Sequence, residues 1–239
     1  MRYSRTVTNT LGLVGGAAML AGVVLAWLRV VPGMVGFVLF ALGGLLCLVA
    51  AVAAIVRLVR GRGLGSGGVV SLVATALLVA SAMRGAGLPR TNDFTTDLDD
   101  PPAFRHAATL PANAGRSLDY PAGFAEQQRA CCADLRPARL AVPPADAFAR
   151  ARATAESMPR WEVTTSELSA GNPSTGTVEA VATTAIFGFQ DDIVIRVRPD
   201  PTGAGSIVDV RSKSRDGRGD LGANAARIRD YVARLERAG

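Results

Sequence analysis

The first acidic residue of the 239-residue chain is Asp93, and almost everything before it belongs to three apolar runs. These are Leu11 to Leu28, Met34 to Val56 and Gly67 to Met83. A helix rises about 1.5 Å per residue and the hydrocarbon core of a bilayer is roughly 30 Å thick, so about 20 apolar residues cross it. The first two runs reach that length. The third, "GGVVSLVATALLVASAM", is shorter and opens on glycine. It is expected to extend toward Ala86 and cross, the alternative being two spans and a re-entrant third segment. The first run is too long for the apolar core of a cleaved signal peptide, no clear small-x-small site follows it, and a second run begins at once. Small residues recur at four-residue spacing on the first run (Ala18, Gly22, Ala26) and on the second (Gly43, Cys47, Ala51). Such stripes let helices approach closely, and packing among the three helices is favoured over a dimer contact.

Charge sets the direction. Residues 1 to 83 hold six of the 26 basic residues and none of the 20 acids, so the net charge of +6 resides in this half. Arg2 and Arg5 precede the first run, and Arg57, Arg60 and Arg62 separate the second from the third. Arginine clusters mark the cytoplasmic side of a membrane protein. The chain therefore reads as a multi-pass inner-membrane protein with a cytoplasmic N-terminus and a periplasmic C-terminal domain, five arginines outweighing Arg84 and Arg90 on the far side. Membrane lipids are its first expected partner. The soluble half is neutral and lacks the basic excess of a nucleic-acid binder. No Asp, Glu, Lys or His interrupts the runs, which argues against a proton or ion path through them.

Three regions follow: a membrane domain (residues 1–86), an acidic joint and irregular wrap (87–142), and an α+β core (143–239). The wrap is rich in Pro, Ala and polar residues, with a short helix expected near Phe124 to Ala130. The core opens on a helix, "PPADAFARARATAESM", with proline and Asp146 at its N-terminus and Phe148, Arg152, Ala155 and Met158 at helical spacing. Strands are read at "RWEVTTSEL", "TVEAVATTAIF", "DDIVIRVRPD" and "SIVDVRSKSR", with turns at "SAGNPSTG" and "PTGAG". Period-2 alternation puts Val178, Ala180, Ala182, Ile193, Ile195, Val197, Val208 and Val210 on one face. A last helix, capped by Asp220, carries Leu221, Ala225, Ile228, Val232 and Leu235 as its apolar stripe. Helix, four-stranded antiparallel sheet, helix is a two-layer α+β arrangement, with both helices on one sheet face and charges on the other.

That charged face is the candidate ligand-binding site: Asp192, Arg196, Arg198, Arg211, Lys213 and Arg215. Planar guanidinium forks match carboxylate and phosphate, so an anionic ligand or an acidic partner protein of the envelope is expected. The plainer reading is cross-strand pairing with Asp192, Asp209 and Glu179, although the cations outnumber these acids. The loop Ser214 to Asp220 leads into a helix N-terminus that could also hold an anion, opposed by Asp216 and Asp220. Asp93, Asp97, Asp99 and Asp100 crowd the joint but do not match a calcium loop: counting from Asp93 places Leu98 and Phe104 where glycine and glutamate belong. This joint is expected to pack back on the domain through Phe94 and Phe104. Cys131 and Cys132 are adjacent and form either a strained disulfide, an intermolecular bond or free thiols. His106 is the lone histidine, no CxxC pair exists, and no GxSxG elbow appears. No metal, cofactor or catalytic residue is assigned. The alternative to a binding domain is an envelope hydrolase or lipid-modifying enzyme using the acids around Asp191 and Asp192.

Three segments, "NDFTTDLDDPPAF", "VEAVATTAIFGFQDDIVIRVRPD" and "VDVRSKSRDGRGDLGANAARIRDYVARL", together resemble a bacterial family known as domain of unknown function 1499. The resemblance spans roughly residues 91 to 239. It implies that the acidic joint is part of the domain, and it carries no activity and no catalytic residues with it. The "ACCAD" stretch departs from the family pattern, so the cysteine pair is particular to this chain.

Overall fold

The computed structural model describes residues 2–84, 89–169, 175–203 and 205–237. The turn read at "SAGNPSTG" and the extension of the third run to Ala86 fall largely outside them. The chain divides into two compact units, Met1–Ala86 with Thr184–Gly188, and Gly87–Thr183 with Phe189–Gly239.

In the first unit, helices α1 (Arg2–Trp27), α2 (Gly33–Val59) and α3 (Ser66–Arg84) contain the three apolar runs except for Leu28, which lies just past α1. All three are long and apolar enough to cross a membrane. Their outer surface is apolar, with Leu20 and Leu77 each 65% exposed, which suits lipid rather than water. Small residues meet where α1 and α2 touch, Gly22 and Ala26 against Gly36 and Gly15 against Gly43 and Cys47, so each stripe faces small residues outside the other stripe. A Cβ on Gly22 would lie 2.5 Å from the Gly36 carbonyl oxygen, so α1 and α2 can approach this closely only with glycine at the crossing. The side chain of Asn9 on α1 accepts the Gly67 amide at 2.6 Å and satisfies a first-turn donor of α3.

In the second unit the sheet has six strands, not four. Strands β3 (Trp161–Ser169), β4 (Thr175–Thr183), β5 (Gln190–Pro199) and β6 (Ser206–Ser214) form the expected antiparallel meander. Two short strands, β1 (Asp93–Thr95) and β2 (Ala138–Leu140), both pair with the free edge of β6, one beside Arg211–Lys213 and the other beside Ser206–Val208. Three residues are too few to show a period, so both strands were hidden inside the joint and the wrap. β4 ends at Thr183, before the "TAIF" read as its continuation.

One face of the sheet carries the apolar core. Val178, Ala180, Ala182, Ile193, Ile195, Val197, Val208 and Val210 are all buried there, under α5 (Pro144–Ser157) and α6 (Ala223–Arg237). α6 contributes Ala225, Ile228, Tyr231 and Leu235. The Tyr231 ring stacks on Trp161 at 5.5 Å, and its hydroxyl donates to the Ala151 carbonyl. Leu221 does not join the stripe: it lies outside the helix, 71% exposed, with φ 52°. α5 turns Ala147, Ala151 and Ala155 inward, whereas Arg152 faces out and pairs with Glu156. The expected short helix is α4 (Phe124–Cys131).

The other face is not open. Residues of the joint and wrap, including two 3₁₀ turns (Ala107–Thr109 and Pro111–Asn113), cover it. Phe104, Ala107 and Val194 form a small second core there, with Leu118 packed against it. The domain thus has three layers: helices, sheet and a largely irregular cover.

Candidate functional site

Successive residues of a strand point to opposite faces. On β5 and β6 this sends Asp192, Val194, Arg196 and Arg198, with Asp209, Arg211 and Lys213, to the covered face. The acids of the joint meet the cations there. Asp93, fully buried, accepts Arg211 Nε at 2.9 Å, Arg211 Nη2 at 2.8 Å and Lys213 Nζ at 2.8 Å. Arg211 also donates to the carbonyls of Pro102 and Leu118, and lies 4.8 Å over the Phe104 ring and 5.4 Å over Tyr120. Burial, aided by the Asp93 charge, pushes the Tyr120 phenol up and keeps it neutral.

Asp209, also fully buried, is shared by Arg196 and Arg198, each placing Nε 2.9 Å from one oxygen. The Asp209 hydrogen bond moves Arg198 further toward its charged form, outweighing burial. Asp97 then bridges the same two guanidiniums at 3.2 and 3.3 Å, and Asp100 takes Arg196 Nη1 at 2.6 Å. Asp99 pairs with Arg129 at 3.2 Å. All four aspartates of the joint are therefore counter-ions to arginine or lysine. At the far end of the face, buried Asp192 is held by Arg215, by Asn113 Nδ2 at 3.1 Å and by Arg116 at 3.6 Å. Among the described residues Glu179 pairs with no arginine: it accepts the backbone amides of Arg105, His106 and Ala107 at 2.7 to 2.8 Å and closes the N-terminus of the first 3₁₀ turn. Sequence distance concealed these partners, since Asp93 and Arg211 are 118 residues apart.

The six residues singled out by sequence thus line one face but divide by accessibility. Asp192, Arg211, Lys213 and Arg215 have side chains at most 9% exposed, whereas Arg196 and Arg198 reach 21% and 32%. Arg198 also lines an open cleft of about 650 Å³, together with Thr96 to Asp100, Arg129, Cys132, Ala133 and Leu135 to Pro137. Cys131 and Cys132 are joined by a disulfide at the end of α4, and Cys132 is buried. Gln128 of α4 clasps the β1 edge, accepting the Thr95 amide and donating to the Thr95 carbonyl. α4 so forms one wall of the cleft. Among the described residues no group of three or more His, Cys, Asp or Glu is arranged to hold a metal ion.

No curated protein and no solved structure matches the chain. A family model described as "Protein of unknown function (DUF1499)" matches residues 93–235, from the aspartate that neutralises Arg211 to the last buried leucine of α6. That is more than half of the chain, and with it the covered charged face, so the protein belongs to the DUF1499 family.

Proposed function

We propose that this protein is anchored in the inner membrane by three crossing helices and presents its α+β domain to the periplasm, where the domain works by binding and not by catalysis. The ligand is an anionic envelope component or an acidic surface of another envelope protein, and it is received by Arg198, which lines the cleft, and by Arg196, which shares Asp97 and Asp209 with it. The observation that carries this reading is the pairing of Arg196 with Asp100. Asp100 holds the guanidinium through its backbone carbonyl and through one carboxylate oxygen, and its side chain is 80% exposed, so an incoming carboxylate or phosphate can take the place of that carboxylate. Asp209 beneath stays put and keeps both arginines aimed outward. Asp192, Arg211, Lys213 and Arg215 serve as the buried base of the site.

An envelope hydrolase working through Asp191 and Asp192 is the alternative. Neighbours on one strand face opposite ways, and these two do: Asp191 meets Arg227 of α6, while Asp192 meets Arg215 and Arg116 under the cover. They do not converge on one bond, as acid and base must.

Two measurements in intact cells test the proposal. A reporter active only in the periplasm should work at the C-terminus, and a tag at Gly63 should be cytoplasmic. A protease-protected C-terminus in right-side-out spheroplasts would overturn the topology. For the site, a photo-crosslinking residue replaces Leu98 in the cleft. A discrete adduct that disappears in Arg196→Gln/Arg198→Gln supports binding there, and an adduct indifferent to both arginines counts against it.

A further inference from the structure

A second basic site lies on the opposite side of the domain, in the helix layer. A groove of about 630 Å³ runs between α5 and α6, lined by Arg150, Ala153, Thr154, Ser157, Arg234 and Arg237. Three arginines and no carboxylate line it. This is unusual in a soluble half whose charges balance and whose arginines are mostly paired. Arg234 has Asp230 at 2.9 Å, but among the described residues neither Arg150 nor Arg237 is in an ion pair with a carboxylate. Both are instead oriented by backbone carbonyls of α6. Arg150 reaches across from α5 to donate Nε to Leu235 O at 2.9 Å and Nη2 to Glu236 O at 3.2 Å, and Arg237 donates Nε to Ala233 O at 2.9 Å.

Those bonds fix the guanidiniums without neutralising them. A guanidinium has five N–H donors. Arg150 spends two of them on carbonyls and Arg237 one, so each keeps several. The helix macrodipole explains a cation near the C-terminus of α6, being equivalent to about half a negative charge there. Arg150, brought in from α5, caps two of the last carbonyls of α6, and capping leaves its charge and its remaining donors free for an anion. Hydroxyls contribute little, since Thr154 and Ser157 donate to carbonyls of their own helix.

From this convergence of three arginines in one groove, two of them without a carboxylate partner among the described residues, we propose that the α5–α6 groove binds a phosphate group. A phosphate brings the charge these arginines lack and several acceptor oxygens that match their planar forks. The groove has room for more than the phosphate, so a phosphorylated small molecule and a phospholipid headgroup share the required chemistry. The site is separate from the cleft lined by Arg198 and stands without it.

The full chain, purified in a neutral detergent, is titrated with inorganic phosphate and with glycerol 3-phosphate by calorimetry, against chloride at equal ionic strength. It is also placed in nanodiscs of phosphatidylcholine with or without phosphatidic acid, and thermal midpoints are compared. Saturable binding is expected for the phosphates, weakened roughly tenfold to a hundredfold in Arg237→Gln, the change that losing one charge-assisted hydrogen bond of about 1.5–3 kcal/mol implies. Arg150→Gln should weaken it similarly, and because Arg150 also caps α6, the exposed Arg237 is the decisive position. A response to phosphatidic acid alone assigns the groove to a lipid headgroup, and a response to the soluble phosphates assigns it to a free ligand. No response to either, or binding that Arg237→Gln leaves unchanged, overturns the proposal.

Discussion

The two faces of the sheet are both covered and are held by opposite chemistry. Under α5 and α6 lie Ile193, Ile195, Val208 and Val210, apolar and adaptable in shape. Under the irregular cover lie Asp93, Asp192, Asp209, Glu179 and Arg211, each at most 2% exposed. The apolar face gains from any partner that excludes water. The charged face is stable only if every charge meets its own partner, because dehydrating an ion costs several kcal/mol unless it is paired and hydrogen-bonded. The cover is irregular for that reason. It must place single carboxylates, carbonyls and amides at set points, and a regular helix offers no free backbone groups along its length.

The most damaging way to break this contrast is to put a charge on the apolar side. Ile195→Asp removes a side chain whose burial contributes roughly 1.5–3 kcal/mol. It also strands a carboxylate beneath two helices, at several kcal/mol more. The sum rivals the whole stability of a typical domain, about 5–15 kcal/mol. The variant is expected not to fold, as read by proteolysis of the full chain in detergent. A protease-resistant, cooperatively melting Ile195→Asp protein would reverse the assignment of faces.

The matching change on the charged side is Asp93→Ala. It leaves Arg211 and Lys213 both dehydrated without a carboxylate, and breaking a buried pair from one side costs about 3–5 kcal/mol. Arg211→Met should cost less, because Lys213 still neutralises Asp93 and methionine fills the space between Phe104 and Tyr120. Denaturant midpoints of the two variants test the order. If Arg211→Met is the worse, Arg211 matters mainly as a donor to Pro102 and Leu118, and the charge argument fails.

This asymmetry also decides what could be read from the residues alone. Alternation over nine or ten residues made the apolar face legible, down to Ile193, Ile195, Val208 and Val210 sharing one cluster with Ile228. The same alternation located the charged face but not its cover. Nothing local in "TNDFTTDLDD" says that Asp93 will meet Arg211 or that Asp97 will meet Arg198, since an ion pair leaves no period in a sequence. Strands of three residues leave none either, so in sequence β1 and β2 are indistinguishable from joint and wrap. Glu179 misled in a different way. Its alternation put it on the right face, yet its partners are backbone amides, which no side-chain pattern announces.

A smaller effect comes from the edge between the two chemistries. Asp220 accepts the amides of Gly222 and Asn224 ahead of α6, and burial, outweighing these hydrogen bonds, raises its pKa above the usual carboxylate value. A raised value means that the folded protein holds this proton more tightly than the unfolded chain. The group's favourable contribution is therefore complete below the ordinary carboxylate pKa and is lost as pH rises through the raised one. Asp220→Asn cannot titrate. The stability of the native protein relative to this variant should fall as pH rises from the acid side toward neutrality, measured as the difference in thermal midpoint. A difference that is flat, or that grows with pH, contradicts the burial of Asp220.

The smallest expected effect is the most discriminating, because it falls in the same stretch as one of the largest. Side-chain exposure climbs from 0% at Asp93 through 16% at Asp97 and 80% at Asp100 to 92% at Asp99. If these aspartates matter by charge alone, as a calcium loop or a general acidic patch would, replacing each by Asn should have similar consequences. If they matter as individual counter-ions, the losses should follow dehydration. Asp99 faces an Arg129 that is itself 54% exposed, and such surface pairs contribute about 0–1 kcal/mol. Asp99→Asn should therefore leave the melting midpoint nearly unchanged. Asp97→Asn should lower it clearly, because it removes a charge shared by Arg196 and Arg198 and weakens the turn in which Asp97 accepts the amides of Asp99 and Asp100. Calcium should not shift either midpoint. A calcium-dependent stabilisation, or equal losses at positions 97 and 99, would mean that the acidic stretch acts as a group and that its one-to-one pairing with the strand arginines is incidental.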